Sequence, residues 1–195
     1  GKLEYLQESL DLYRAALDKE VIYVNEELTP WTFKNIVTAG LRLKEFEWTE
    51  NFIKEYSHKI NIAFRENAIN YNIAILNFHL KKYSAVIPLL QKVEYDEEYY
   101  SLNSKGQLLI TYFELKEFEV LEPFLLSFEI YLKRNKKIPK ENTVRYLKLI
   151  KLTKKLIKLK DAPDIEIIKF KEEIIQSTSV AKPWLLEKVD ELLYN

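Results

Sequence analysis

A short tetrapeptide restricts the fold of this chain more than any other feature. Leu43-Lys44-Glu45-Phe46 returns as Leu80-Lys81-Lys82-Tyr83 and again as Leu115-Lys116-Glu117-Phe118, with aromatic-to-aromatic spacings of 37 and 35 residues. A period of that size marks one supersecondary unit repeated along the chain. Each copy lies between stretches whose apolar residues recur at helical spacing, such as Phe33, Ile36, Val37, Gly40 and Leu43. The reading is a helix hairpin. Leu ends one helix, the polar pair makes the turn, and the aromatic opens the returning helix and meets Leu across it. The second and third copies carry a proline five residues on, Pro88 and Pro123. A proline in the first turns of a helix removes few backbone bonds.

Helical punctuation extends the pattern in both directions. Thr29-Pro30 is a cap followed by proline at the first helical position. A first helix is expected from Leu3 to about Val24, then helices from Pro30 to Leu43, Phe46 to Ile60, Ile62 to Leu80 and Tyr83 to Val93. Asp96 is expected to cap a helix ending near Leu115, and Phe118 to Leu132 forms the next. Ile138-Pro139-Lys140 opens a long helix to about Lys160, which Asp161-Ala162-Pro163-Asp164 breaks. Ile165 to Ile175 and Lys182 to Leu193 follow. The expected division is an N-terminal helix (1–28), repeats at 29–60, 61–95 and 96–137, an atypical repeat at 138–178 and a capping helix at 179–195.

Composition agrees with an all-α chain. Only three glycines occur in 195 residues, fewer than a β protein with many tight turns needs. Cysteine is absent, which excludes disulfides and thiolate metal sites. No apolar run approaches the length of a membrane span. The chain opens within a helical pattern at Gly1-Lys2-Leu3, as expected of a piece of a longer protein. The expected setting is cytoplasmic and bacterial.

On these repeats the chain resembles the tetratricopeptide family, whose unit is about 34 residues long and whose second helix opens on an aromatic. Phe46, Tyr83 and Phe118 stand at that aromatic position. Where the family has a small residue three positions later, this chain has Thr49, Val86 and Leu121. At the close crossing in the first helix, Ala74 fits the pattern and Val37 and Leu109 depart from it. The closing proline of the family is missing. The resemblance implies a right-handed αα superhelix of stacked antiparallel hairpins covering about 31–132.

It also implies a concave groove lined by the first helices of successive hairpins. Carried over residue by residue, that groove receives Lys34, Thr38 and Arg42 from the first copy, and Tyr71, Ile75, Phe78 and His79 from the second. Asn103, Gly106, Gln107, Ile110 and Phe113 come from the third. Some family members grip a partner's terminal carboxylate there. Lys34 and Asn72 match that pattern, but Thr38, Asn103 and Gln107 stand where Asn, Lys and Arg are required. The anion would be poorly neutralised, so no carboxylate clamp is expected.

Sites of chemistry are sparse. His58 and His79 are far apart and have no ligand partner at metal spacing. The isolated glycines form no phosphate loop, and no nucleophile elbow is present. Glu94, Asp96, Glu97 and Glu98 read as residues complementing a helix dipole. No enzyme activity, metal or cofactor is expected.

The 60 charged side chains cancel in sum but not in distribution. Residues 133–160 hold 12 basic groups and one acidic group, flanked by acidic segments. Within the long helix Lys148, Lys151, Lys155 and Lys158 share a stripe with Arg145 alongside, opposite Leu149, Leu152, Leu156 and Leu159. Such a stripe either meets acidic groups of the third hairpin (Glu117, Glu119, Glu122) or binds an acidic partner. Lysine dominates and aromatics are few, which argues against sequence-specific nucleic-acid reading. The expected function is a non-catalytic scaffold that binds a protein or peptide in the groove. Polyanion or nucleic-acid binding through 133–160, or service as a regulatory domain of a larger enzyme, are the alternatives.

Overall fold

The computed structural model describes residues 2–93, 98–159 and 162–194. Among them are ten α-helices and no strand beyond one isolated bridge, Val24 to Glu27. The expected all-α class is therefore correct. No helix among the described residues is long and apolar enough to cross a membrane. The expected cap Asp96 and the cluster Glu94, Asp96 and Glu97 lie outside the described residues.

Two compact units divide the chain at the turn of the third tetrapeptide, Gly1–Lys116 and Glu117–Asn195. The first holds α1 (Lys2–Asp18), α2 (Pro30–Arg42), α3 (Phe46–Tyr56), α4 (Ile62–His79), α5 (Tyr83–Gln91) and α6 (Glu98–Glu114). The second holds α7 (Phe118–Arg134), α8 (Lys140–Lys158), α9 (Asp164–Gln176) and α10 (Lys182–Tyr194).

All three tetrapeptides adopt one backbone conformation. The lysine that follows the leucine is left-handed each time, with φ of 63° at Lys44, 58° at Lys81 and 59° at Lys116. The next residue has φ and ψ of −82° and 61° at Glu45, −85° and 57° at Lys82, and −79° and 60° at Glu117. At the first turn the amide of Glu45 donates to the carbonyl of Gly40 and that of Lys44 to Leu41. At the second, Lys82 donates to Asn77 and Lys81 to Phe78. This doubly bonded ending satisfies helix carbonyls that would otherwise be orphaned. The repetition is thus conformational as well as sequential.

The first helix ends the same way, six residues before the expected Val24. Glu20 is left-handed at φ 55°, and the amide of Val21 reaches back to the carbonyl of Ala16. The β-branched run Val21, Ile22, Val24 disfavours continuing the helix. Helix α3 also ends early, at Tyr56, and closes in a 3₁₀ turn over Ser57–Lys59. Side-chain oxygens of Thr29 and Asn61 cap α2 and α4 by accepting from the amides of Thr32 and Ala63. Pro88 and Pro123 are each the sixth residue of their helix, beyond the four positions whose amides are free anyway. Each removes one helical bond, on the exposed side.

In the first unit α2 packs on α3 and α4, and α4 packs on α5 and α6. The core is centred on Leu10, Phe33, Ile36, Phe52, Ile60 and Ala68. Arg14 of α1 lies over the Trp48 ring at 4.4 Å and pairs with Glu45, tying α1 to the first hairpin. In the second unit α7 packs on α8, and α10 packs on α9 and α8. Its core includes Leu121, Phe128, Leu149, Phe170, Leu185 and Val189, all at most 1% exposed.

Candidate functional site

Helices α2, α4 and α6 carry the residues expected to line a groove. On α2, Thr38 and Arg42 are exposed, and the Thr38 hydroxyl donates to its own helix at Lys34 O, 2.8 Å. Lys34 is 6% exposed, with its ammonium 4.1 Å from the centre of the Trp31 ring. On α4, Tyr71 is buried against Tyr100 of α6 in an edge-to-face contact at 5.0 Å. Ile75 and Phe78 are half-buried, and Phe78 meets Tyr83 across the turn at 5.2 Å. His79 is exposed at its edge but packs beside Phe46 and Phe78, and the resulting desolvation lowers its pKa. On α6, Asn103, Gln107 and Phe113 are half-buried, while Gly106 and Ile110 are buried. Asn72 is buried and donates to Ala68 O at 2.7 Å.

Two neighbouring helices of this set carry amide donors with no acceptor. Asn70 Nδ2 on α4 and Gln107 Nε2 on α6 are both shielded from solvent and unpaired, as is the Ser104 hydroxyl on α6. Leaving such a group unpaired costs about 1–3 kcal/mol. Sequence reasoning reached Gln107 but missed Asn70 and Ser104, because small polar residues on a helix normally read as surface. Burial desolvates Lys105, which follows Ser104 on α6, and lowers its pKa.

The basic helix α8 is differently arranged from the sequence expectation. Lys151, Lys155 and Lys158 of its stripe are exposed, but most of the stripe is held by side chains of neighbouring segments. Lys155 donates to Glu173 of α9 at 2.6 Å and lies 5.0 Å from the Phe170 ring, and Lys151 is 3.8 Å from the same carboxylate. Lys148 donates to the Thr178 hydroxyl at 2.8 Å. Lys154 and Lys133 converge on Glu129 of α7, at 2.9 and 2.6 Å, and hold that carboxyl down to about 2. Glu129 and Glu173, not Glu117, Glu119 or Glu122, offset the lysines of α8. Lys158 is exposed and Arg145 half-buried, and neither has a carboxylate within 4 Å among the described residues.

A cleft of about 600 Å³ opens in the second unit at the N-terminal end of α8. Lys140, Glu141, Val144 and Arg145 line it from α8, Ser177, Thr178 and Ser179 from the α9–α10 connection, and Lys182 from α10. Lys182 is anchored by donation to the carbonyl of Ile175 at 2.8 Å.

These features define an all-helical protein with a conformationally repeated hairpin turn. No protein-family model, curated protein or solved structure matches the chain.

Proposed function

We propose that the chain is a non-catalytic protein-interaction scaffold, with the hairpins of its first unit stacked in the manner of tetratricopeptide repeats. The partner is a peptide segment of another protein, held along α2, α4 and α6. The observation that carries this reading is the pair of unsatisfied amide donors, Asn70 on α4 and Gln107 on α6, on helices packed against each other. These donors are closed to solvent in this structure, so a peptide carbonyl reaches them once the side chains covering them move aside, and an extended peptide offers such carbonyls at regular spacing. The identical hairpin turns and the side-by-side packing of α4 with α2 and α6 support the stack. Thr38, Arg42, Phe78 and His79 add a mixed polar and aromatic rim suited to side-chain recognition.

The test uses peptides selected from a random display library on the folded chain. Gln107→Leu and Asn70→Leu remove an unsatisfied donor and keep most of the volume. The expected result is unchanged or raised thermal stability together with loss of binding to the selected peptides. Selected peptides that bind both variants as tightly as the parent chain would place the binding surface elsewhere and end the groove reading.

A further inference from the structure

We infer that the cleft at the N-terminal end of α8 is a docking site for an acidic polypeptide segment, independent of the groove in the first unit. The inference rests on which cations the fold neutralises. Along α8, Lys151, Lys154 and Lys155 are each matched to Glu173 or Glu129, and Lys148 is held by Thr178. Arg134, Lys136, Lys137, Lys140 and Arg145 have no carboxylate within 4 Å among the described residues. These five lie within 12 consecutive residues, so chain continuity alone keeps them together at one end of α8. Apart from Lys158 at the far end of α8, the described cations of this segment that meet no carboxylate or hydroxyl are therefore gathered at that one end.

The cleft supplies a shaped receptor beneath that charge. Three cations, Lys140, Arg145 and Lys182, line it against one carboxylate, Glu141. The Thr178 hydroxyl accepts from Lys148, so its own proton remains available to an oxyanion. Pro139 leaves the first turn of α8 without a side-chain cap, and this adds donors to the same region. Val144, 47% exposed, gives the cleft an apolar wall for the methylene groups of a Glu or Asp side chain. A nucleic acid needs cations along a track, and the lysines that would extend such a track along α8 are partly offset, since Lys151 and Lys155 share Glu173 and Lys154 shares Glu129 with Lys133. A compact cluster of carboxylates is the better match.

The measurement is fluorescence anisotropy of a labelled oligoglutamate peptide at low and physiological salt, with oligodeoxythymidine of equal charge as the second arm. Four chains are compared: the parent, the Lys140→Gln/Arg145→Gln variant, the Lys151→Gln/Lys155→Gln variant, and Glu141→Gln. Thermal unfolding of each verifies the fold. Removing the two unpaired cations should weaken oligoglutamate roughly threefold to tenfold, as expected for two partly exposed ion pairs. Removing the two paired lysines should change it less than about twofold. Glu141→Gln should tighten it. Equal losses in both lysine variants, no binding by the parent at low salt, or weaker binding by Glu141→Gln would each overturn the proposal. Oligodeoxythymidine binding more tightly than oligoglutamate would overturn it in favour of a nucleic-acid surface.

Discussion

Gly40 and Thr49 face each other across the first hairpin so closely that a Cβ built on Gly40 would overlap the Thr49 hydroxyl. That hydroxyl is fixed, since Thr49 is fully buried and donates to the carbonyl of Glu45 at 2.7 Å. The Trp48 ring closes the other side at 3.4 Å. Helices α2 and α3 therefore touch through a glycine on one and a short β-branched side chain on the other.

This contact reverses the usual sign of a glycine substitution. Glycine inside a helix normally destabilises by about 0.5–1 kcal/mol relative to alanine. Here Gly40→Ala should destabilise by about 1–3 kcal/mol, because the added methyl forces the buried pair apart. Adding Thr49→Ala, which deletes the hydroxyl, should recover much of that loss. A double-mutant cycle in urea measures the coupling. Additive single effects would show that the two residues are not in forced contact.

The three repeated lysines make a second prediction. Each holds a left-handed φ near 60°, where a side chain costs about 1–2 kcal/mol that glycine avoids. Glycine is also the preferred residue at this position after a helix. Lys44→Gly, Lys81→Gly and Lys116→Gly should each raise stability by about 0.5–1 kcal/mol, read as a higher urea midpoint. Glu20→Gly should behave alike, although its segment lacks the repeated tetrapeptide. A lower midpoint in all four variants would mean that the side chains contribute more than their backbone strain costs.

Acid should weaken the second unit through Glu129. Hydrogen bonds from Lys133 and Lys154, with their charges, lower its pKa from 4.5 to about 2. A carboxylate with a depressed native pKa contributes stability above its unfolded value and loses it as pH falls through the folded value. Glu129→Gln should therefore cost something under about 1 kcal/mol at neutral pH, since the pair is partly solvent-screened. The gap in melting temperature between parent and variant should narrow as pH falls below 4.5 and vanish below about 2. A gap that persists unchanged in acid would assign the effect to packing.

Much of this was legible because it is local. The turns at Lys44, Lys81 and Lys116 follow from a leucine, a polar pair and an aromatic in consecutive positions, and helix limits fall within a few residues of expectation wherever a cap or proline marks them. The end of α1 was missed because Glu20 takes a conformation its residue type does not advertise. Long-range pairing was less legible. Lys154 and Lys155 find Glu129 and Glu173, 25 and 18 residues away, and only the tertiary fold of the second unit brings those carboxylates within reach. The close contact between α2 and α3 falls at Gly40, whereas the sequence resemblance had pointed to Val37. Glycine had read simply as one member of an apolar face.

The aromatic residues that mark the repeats are not the most buried rings, and this sets the last prediction. Phe46, Tyr83 and Phe118 are each half-buried, whereas Phe33 and Phe128 are 0% and 1% exposed. Phe33 packs against Phe52 at 4.9 Å between ring centres, and Phe128 meets Tyr146 at 5.8 Å. Removing a fully buried ring loses transfer free energy and leaves a cavity, for about 3–5 kcal/mol. Phe33→Ala and Phe128→Ala should fall in that range. A half-buried ring gives up less apolar area and leaves an opening that water can enter, so Phe46→Ala and Tyr83→Ala should cost roughly half as much. Phe33 lies in the first unit and Phe128 in the second. Urea unfolding followed by circular dichroism and by tryptophan fluorescence should thus show different probes responding to the two variants, because Trp31 and Trp48 belong to the first unit and Trp184 to the second. If Phe46→Ala and Tyr83→Ala proved as damaging as Phe33→Ala, the repeated aromatics, and not the rings buried behind them, would be what holds the hairpins together.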